Sequence, residues 1–275
     1  MTSIPPQVLR IDGLVKSFGA MRAVNGVSLS VGPGEFVALL GPSGSGKSTV
    51  FRCVSRLARP DAGGVYVDGQ RVDMLEGRRL RRQRRVMGLI FQQFNLIGRL
   101  SAIDNVLAGR LGSIGTLRAV LRAFSRDDRQ LALAALDRVG LLDKAYQRAD
   151  SLSGGQQQRV AIARVVAQQS RIILADEPVA SLDPAAAENV LGLLRSIAHE
   201  QGIAVLCSLH QTDLARRFAD RVVAMKDGRV VLDARVAGLG QEELTAIYGN
   251  RSPPAVQAPA PAAAPATKVA PVQHA

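Results

Sequence analysis

The chain has 275 residues, of which 47% are hydrophobic and 21% charged, a composition that supports a folded protein with a substantial core. No apolar run approaches the ~18 residues a membrane-spanning helix needs, and residues 1–10 hold two prolines and none of the apolar stretch of a secretory signal. The two cysteines, Cys53 and Cys207, stand far apart without metal-ligand spacing, so they read as small buried thiols in a reducing compartment, and the chain is expected in the cytoplasm.

The net charge is +12, and part of the excess lies in one run from Arg78 to Arg85. Basic pairs recurring every three residues spread around a helix, so the run is predicted to be a solvated helix face, with nucleic acid or anionic lipid headgroups as the functional alternatives. There is no Trp, only three Tyr, and no aromatic interleaved with the arginines, which argues against a base-stacking surface.

In chain order, residues 8–14 and 24–31 pattern as strands, with Asn25-Gly26 as the turn signal between them. Residues 35–40 form a short buried strand that leads into a glycine-rich loop, and 48–57 a helix that ends near Pro60. Residues 65–67 with Asp68-Gly69 read as a hairpin, and 86–91 as another apolar strand. From about Leu100 to Asp150 the apolar spacing turns helical, at 103–107, 117–124 and 131–139. Alternation then returns: helix 155–169, strand 172–175, helix 184–200, strand 204–209, helix 212–218, strands 222–225 and 229–232, and a last short helix at 242–248. This alternation predicts an α/β fold with a mainly parallel central sheet. Residues 252–275 are mostly Pro, Ala and Val, cannot supply a core, and are predicted to be a disordered tail.

Three segments carry chemistry. Gly41-Pro42-Ser43-Gly44-Ser45-Gly46-Lys47-Ser48-Thr49 fits a phosphate-binding loop between a buried strand and a helix. Its glycines allow the tight turn that aims successive amides into one concavity, and the following helix adds its positive end. Lys47 then reaches the β- and γ-phosphates of ATP, and Ser48 ligates Mg²⁺. Asp176 and Glu177 end an apolar strand, where open α/β sheets bind ligands. Asp176 is assigned to Mg²⁺ and Glu177 to the attacking water; the bland reading is an acidic strand end capping the next helix. Leu152-Ser153-Gly154-Gly155-Gln156 opens a helix with a serine N-cap and two glycines that leave its first amides uncovered, a second anion site.

These segments, together with Gln92, Ser181-Leu182-Asp183 and His210, resemble in identity and order the ABC transporter ATPases, over roughly residues 8–249. The resemblance implies a P-loop core at 1–92 and 151–250 with an antiparallel β subdomain, a helical subdomain at 93–150, and a tail at 251–275. It implies catalytic roles for Glu177, His210 and Lys47, and metal roles for Ser48, Gln92 and Asp176. His210 contacts the γ-phosphate, and Gln92 links it to the helical insert. Phe18 falls where the family places an adenine-stacking aromatic; a core phenylalanine is equally open. Two copies would sit head to tail, with Ser153, Gly154, Gly155 and Gln156 completing the partner's ATP site and Asp183 helping to join the subunits.

Residues 147–159, 175–184, 209–214 and 247–249 resemble the ATPases of phosphonate importers. The implied partners are integral membrane permease subunits and a periplasmic or extracellular substrate-binding protein, with no nucleic acid, at the cytoplasmic face of the cell membrane. An ATPase for another oxyanion or for lipid or lipoprotein extraction stays open, as does a soluble ABC ATPase acting on nucleic acid.

Overall fold

The protein, described here by a computed structural model over residues 7–240, is built on two sheets. The predicted helix at 242–248 and the tail lie outside the described residues. The chain opens with β1 (Leu9–Phe18), β2 (Met21–Val31) and β3 (Phe36–Leu40), then α1 (Lys47–Val54), β4 (Ala62–Val67), β5 (Gln70–Arg71), α2 (Gly77–Arg84) and β6 (Met87–Phe91). The helices α3 (Ala102–Leu107), α4 (Thr116–Val120) and α5 (Arg126–Arg138) follow, then α6 (Gly154–Ala167) and β7 (Ile172–Asp176). The order closes with α7 (Pro184–Gln201), β8 (Ala204–Ser208), α8 (Thr212–Phe218), β9 (Arg221–Lys226) and β10 (Arg229–Arg235).

The main sheet has the order β10-β9-β3-β8-β7-β6, parallel throughout except for the antiparallel edge strand β10. A smaller antiparallel sheet has the order β2-β1-β4-β5. Every residue of β3 is buried, because the strand is covered on both faces. Phe36, Ala38 and Leu40 face a cluster with residues of α3, α5, α6 and α7, while Val37 and Leu39 face the small sheet and α1. Strand β7 splits the same way, with Ile173 and Ala175 on the helical side and Ile172 and Leu174 on the other.

Two expectations need correction. The first two strands run on to Phe18 and Met21, so Gly19-Ala20 makes the turn and not Asn25-Gly26. Leu14 pairs with Val27 and Val15 with Asn25, which leaves Gly26 (φ +76°) as the extra residue of a bulge. A bulge and a tight turn both want a left-handed glycine, so the dipeptide by itself does not tell them apart. The helix predicted at 117–124 stops at Val120, just before Arg122 turns left-handed (φ +51°). By contrast α5 begins earlier than its apolar spacing shows, because Ser125 and Asp128 form a capping box. The arginine run lies on α2, exposed as predicted apart from Gln83, whose amide donates to the Val67 carbonyl at 2.7 Å. Cys53 and Cys207 are free and buried, and burial pushes the Cys53 thiol up to about 11.

Candidate active site

Strand register assembles the site. Across the sheet Leu39 pairs with Ser208, Ser208 with Asp176, and Asp176 with Phe91. The residues that follow these strand ends, Gly41, His210, Glu177 and Gln92, therefore emerge side by side at the carboxyl edge of the sheet. Ser48, Gln92, Asp176 and Glu177 line one cleft of about 360 Å³, together with Arg52 and Asn95.

The loop from Gly41 to Ser48 is shaped as a cradle. Gly41, Gly44 and Gly46 have φ of +148°, +84° and +103°, a conformation that side chains resist. A Cβ at Gly41 would collide with the Met225 carbonyl, and one at Gly46 with the Ala23 carbonyl. The Ser45 hydroxyl is buried without a partner, and Lys47 donates its ammonium to the carbonyls of Gly41 (2.7 Å) and Pro42 (3.2 Å). Burial lowers the Lys47 pKa, while Glu177 and Asp176 pull it back up. A buried cation, an orphaned hydroxyl and a loop held in its turn by three left-handed glycines fit a polyphosphate.

Oxygen donors gather beside the cradle. The Ser48 hydroxyl donates to Asp176 Oδ1 at 3.3 Å, and Ser208 donates to the same oxygen at 2.8 Å. Among the described residues no cluster of three His, Cys, Asp or Glu side chains is arranged to hold a metal alone. One carboxylate and one hydroxyl suit a magnesium ion that takes its other ligands from phosphate and water. Glu177 sits at φ +51°, its amide donating to the Ser208 hydroxyl at 2.8 Å. Its carboxylate lies 2.6 Å from His210 Nε2, and this hydrogen bond, ahead of all other causes, holds it below the usual range. Glu177 is thus ionised at neutral pH.

Phe18 is 46% exposed at the tip of the β1–β2 hairpin, which removes the core reading of this residue. The same hairpin carries Ala23, whose carbonyl lies against Gly46, so the hairpin packs against the cradle.

The predicted second anion site lies elsewhere. Ser153 and Gln156 form a capping box at the start of α6, leaving Gly154 exposed. These residues and Gly155 line a second cleft with Ser181 and Asp183, and it shares no lining residue with the first. Asp183 accepts from the Ala186 amide at 2.9 Å, so its carboxylate caps α7.

A family model described as "ABC transporter" matches residues 24–180. The chain belongs to the ABC transporter family. The cassette is 50% identical over 232 residues to the phosphonates import ATP-binding protein PhnC 3 of Nostoc sp., covering 84% of this chain and 88% of that one. It is 48% identical over 241 residues to the PhnC of Thiobacillus denitrificans, covering 87% and 92%. The hypophosphite import ATP-binding protein HtxD of Stutzerimonas stutzeri is also 48% identical, over 240 residues covering 87% of this chain and 70% of that one. Among solved structures, the dimeric cassette MJ0796 superposes with a TM-score of 0.73 at 36% identity, covering 84% of this chain and all of that one. A post-hydrolysis dimer of MJ0796 bound to ADP and Pi gives 0.72 at the same identity, again over 84% of this chain and all of that one.

Two residues of the cassette's site were not singled out from sequence. Ser208 ties Asp176 and Glu177 together; its only signal is its place two residues before His210 at a strand end. Arg164, on α6, donates to the carbonyls of Asn95 (2.7 Å) and Phe94 (3.3 Å) in the turn after Gln92. Nothing in the local sequence marks that contact, which spans about seventy positions.

Proposed function

We propose that the cassette binds ATP with Mg²⁺ in the cleft beside Lys47, hydrolyses it between two head-to-tail copies, and drives phosphonate uptake through separate permease subunits. The observation that supports this most is the register of Leu39, Ser208, Asp176 and Phe91, which delivers cradle, acid pair, histidine and Gln92 to one edge of the sheet.

Lys47 exchanges its carbonyl partners for the β- and γ-phosphates, and the amides of residues 43–48 close around them. Ser48 and Asp176 would hold a magnesium ion with Gln92 beside them, and bound there it would neutralise phosphate charge. Glu177 orients the attacking water and accepts its proton, while His210 holds that carboxylate in place and faces the γ-phosphate. Phe18 stacks on the base. The separate cleft at Ser153, Gly154, Gly155 and Gln156 serves the partner's nucleotide, which accounts for two anion sites with no shared residue in one chain.

Among the described residues no helix is long and apolar enough to cross a membrane. The cassette works as a peripheral subunit beside a permease. A substrate-binding protein completes the importer and selects the ligand. The reading is tested by deleting the gene and supplying methylphosphonate as sole phosphorus source. Growth should fail, return with the intact gene, and stay normal on inorganic phosphate. Unimpaired growth of the deletion strain overturns phosphonate uptake. Because a hypophosphite-importer relative matches at 48% identity, hypophosphite is the second phosphorus source to supply. A defect on hypophosphite alone reassigns the ligand and leaves the ATPase reading intact.

A further inference from the structure

The positive charge of this chain is concentrated. Residues 77–126 contain eleven arginines and a single acidic residue, Asp104, so this stretch holds ten of the twelve net positive charges. It covers α2, the turn after Gln92, and the helices α3 and α4.

The structure brings the end of α2 and the loop into α4 together. The loop into α4 crosses the end of α2 so closely that a Cβ at Gly112 would meet the Arg85 side chain at 2.9 Å. Gln168 fastens the same place, donating to the carbonyls of Arg84 (3.2 Å) and Arg85 (3.0 Å). Arg110 is the neutralised exception, paired with the buried Asp128 at 2.9 Å. Among the described residues Arg78, Arg79, Arg81, Arg82, Arg118 and Arg122 are exposed, and none pairs with a carboxylate.

Apolar side chains stand among these charges. Leu117, Val120 and Leu121 are 73%, 75% and 67% exposed, and α4 buries none of its own residues. Their spacing of i, i+3 and i+4 puts them on one face of the turn, with Arg118 and Arg122 at its flank. Such an exposed aliphatic ridge would be a liability in water alone. A ridge of leucine and valine bordered by unpaired arginines matches a surface that is anionic above and apolar below. Nucleic acid offers no apolar layer and calls for aromatic stacking, which this face lacks.

We propose that the face formed by α2 and α4 rests on anionic phospholipid headgroups, with Leu117, Val120 and Leu121 entering the acyl boundary. The contact goes beyond the proposed ATPase and does not depend on it.

Flotation of the full chain with vesicles tests this. Vesicles of phosphatidylcholine and phosphatidylglycerol should carry the protein, those of phosphatidylcholine alone should not, and salt should weaken the binding. Charge reversal at Arg78, Arg79, Arg118 and Arg122 should lower partitioning about fivefold or more for each arginine. The pair Leu117→Asp and Leu121→Asp should also lose binding. Binding of a fluorescent ATP analogue at wild-type affinity shows that each variant is folded and keeps this test separate from the ATPase reading. Equal binding to both vesicle types, no binding to the anionic ones, or full binding by the charge-reversed variant overturns the proposal. So does a charge-reversed variant that loses only its association with the permease, which would assign the face to an acidic protein segment.

Discussion

The imidazole Nε2 of His210 lies 2.6 Å from Oε1 of Glu177, so a residue two positions beyond β8 holds the carboxylate that directly follows β7. Glu177 is fixed from two sides, because its own amide donates to Ser208 at 2.8 Å and its backbone is left-handed at φ +51°. A glutamate in that conformation costs roughly 1 kcal/mol or more, which is stored where the side chain must aim into the cleft.

Replacing Glu177 by Gln keeps the size of the group and removes the base. ATP binding should persist, while turnover falls by about 10²–10⁴-fold, the usual worth of a general base. A nucleotide-loaded dimer should accumulate on size exclusion. Phosphate release within a few-fold of wild type would take Glu177 out of its assigned role.

A shared site predicts complementation between two dead variants. Lys47→Ala loses the phosphate cradle and Ser153→Arg blocks the α6 start, the latter at a helix-cap cost of about 1 kcal/mol. Each alone should be inactive, with Ser153→Arg retaining single-chain ATP affinity. Mixed, they should recover activity, because one of the two sites in the heterodimer is then intact. Absence of recovery in a mixture that demonstrably dimerises would mean each site lies within one chain.

Arg164 acts as a positioning residue through the carbonyls of Phe94 and Asn95, which both have left-handed φ (+53° and +49°). Because α6 begins at Gly154 in the second cleft, this arginine ties the turn beside the first cleft to the helix that opens at the second. Each hydrogen bond from a charged donor is worth about 1.5–3 kcal/mol. Arg164→Ala should therefore lower kcat about tenfold or more with KM for ATP little changed, and Arg164→Lys should recover part of it. A change confined to KM would place Arg164 in nucleotide binding instead.

Stability should depend on pH through Asp128. Burial raises its pKa, but hydrogen bonds from Ser125 and Arg110 more than offset this and leave the carboxyl below the usual range. A depressed carboxylate stabilises the fold above its unfolded pKa of about 3.9, and that stability is lost as pH falls through the folded value. Asp128→Asn strands Arg110 and should cost about 1–3 kcal/mol at pH 7 in urea unfolding. The gap between variant and wild type should close below about pH 4. A constant gap down to pH 3 would show that the charge is not what Asp128 contributes.

Much of this protein is local in sequence. The cradle from Gly41 to Thr49, the acid pair and the capped start of α6 need only their own residues and neighbours, because backbone turns and helix ends are set by short-range sterics and capping. The strands of the main sheet were legible for a similar reason: β3, β7 and β8 are covered on both faces and read as unbroken apolar runs. The position of the first turn was not legible, because Asn25-Gly26 serves a bulge as well as it serves a hairpin and only pairing with β1 decides.

Sequence by itself therefore determined which groups stand at the candidate site and their order along the chain. Tertiary structure alone decided how they meet. Parallel register placed Phe91, Asp176 and Ser208 side by side, and folding brought Arg164 to Asn95 and Arg85 beneath Gly112. It also decided that Phe18 faces solvent and that the two clefts share no lining residue. Contacts across tens of residues depend on which faces pack together, and no stretch of the chain carries that information alone.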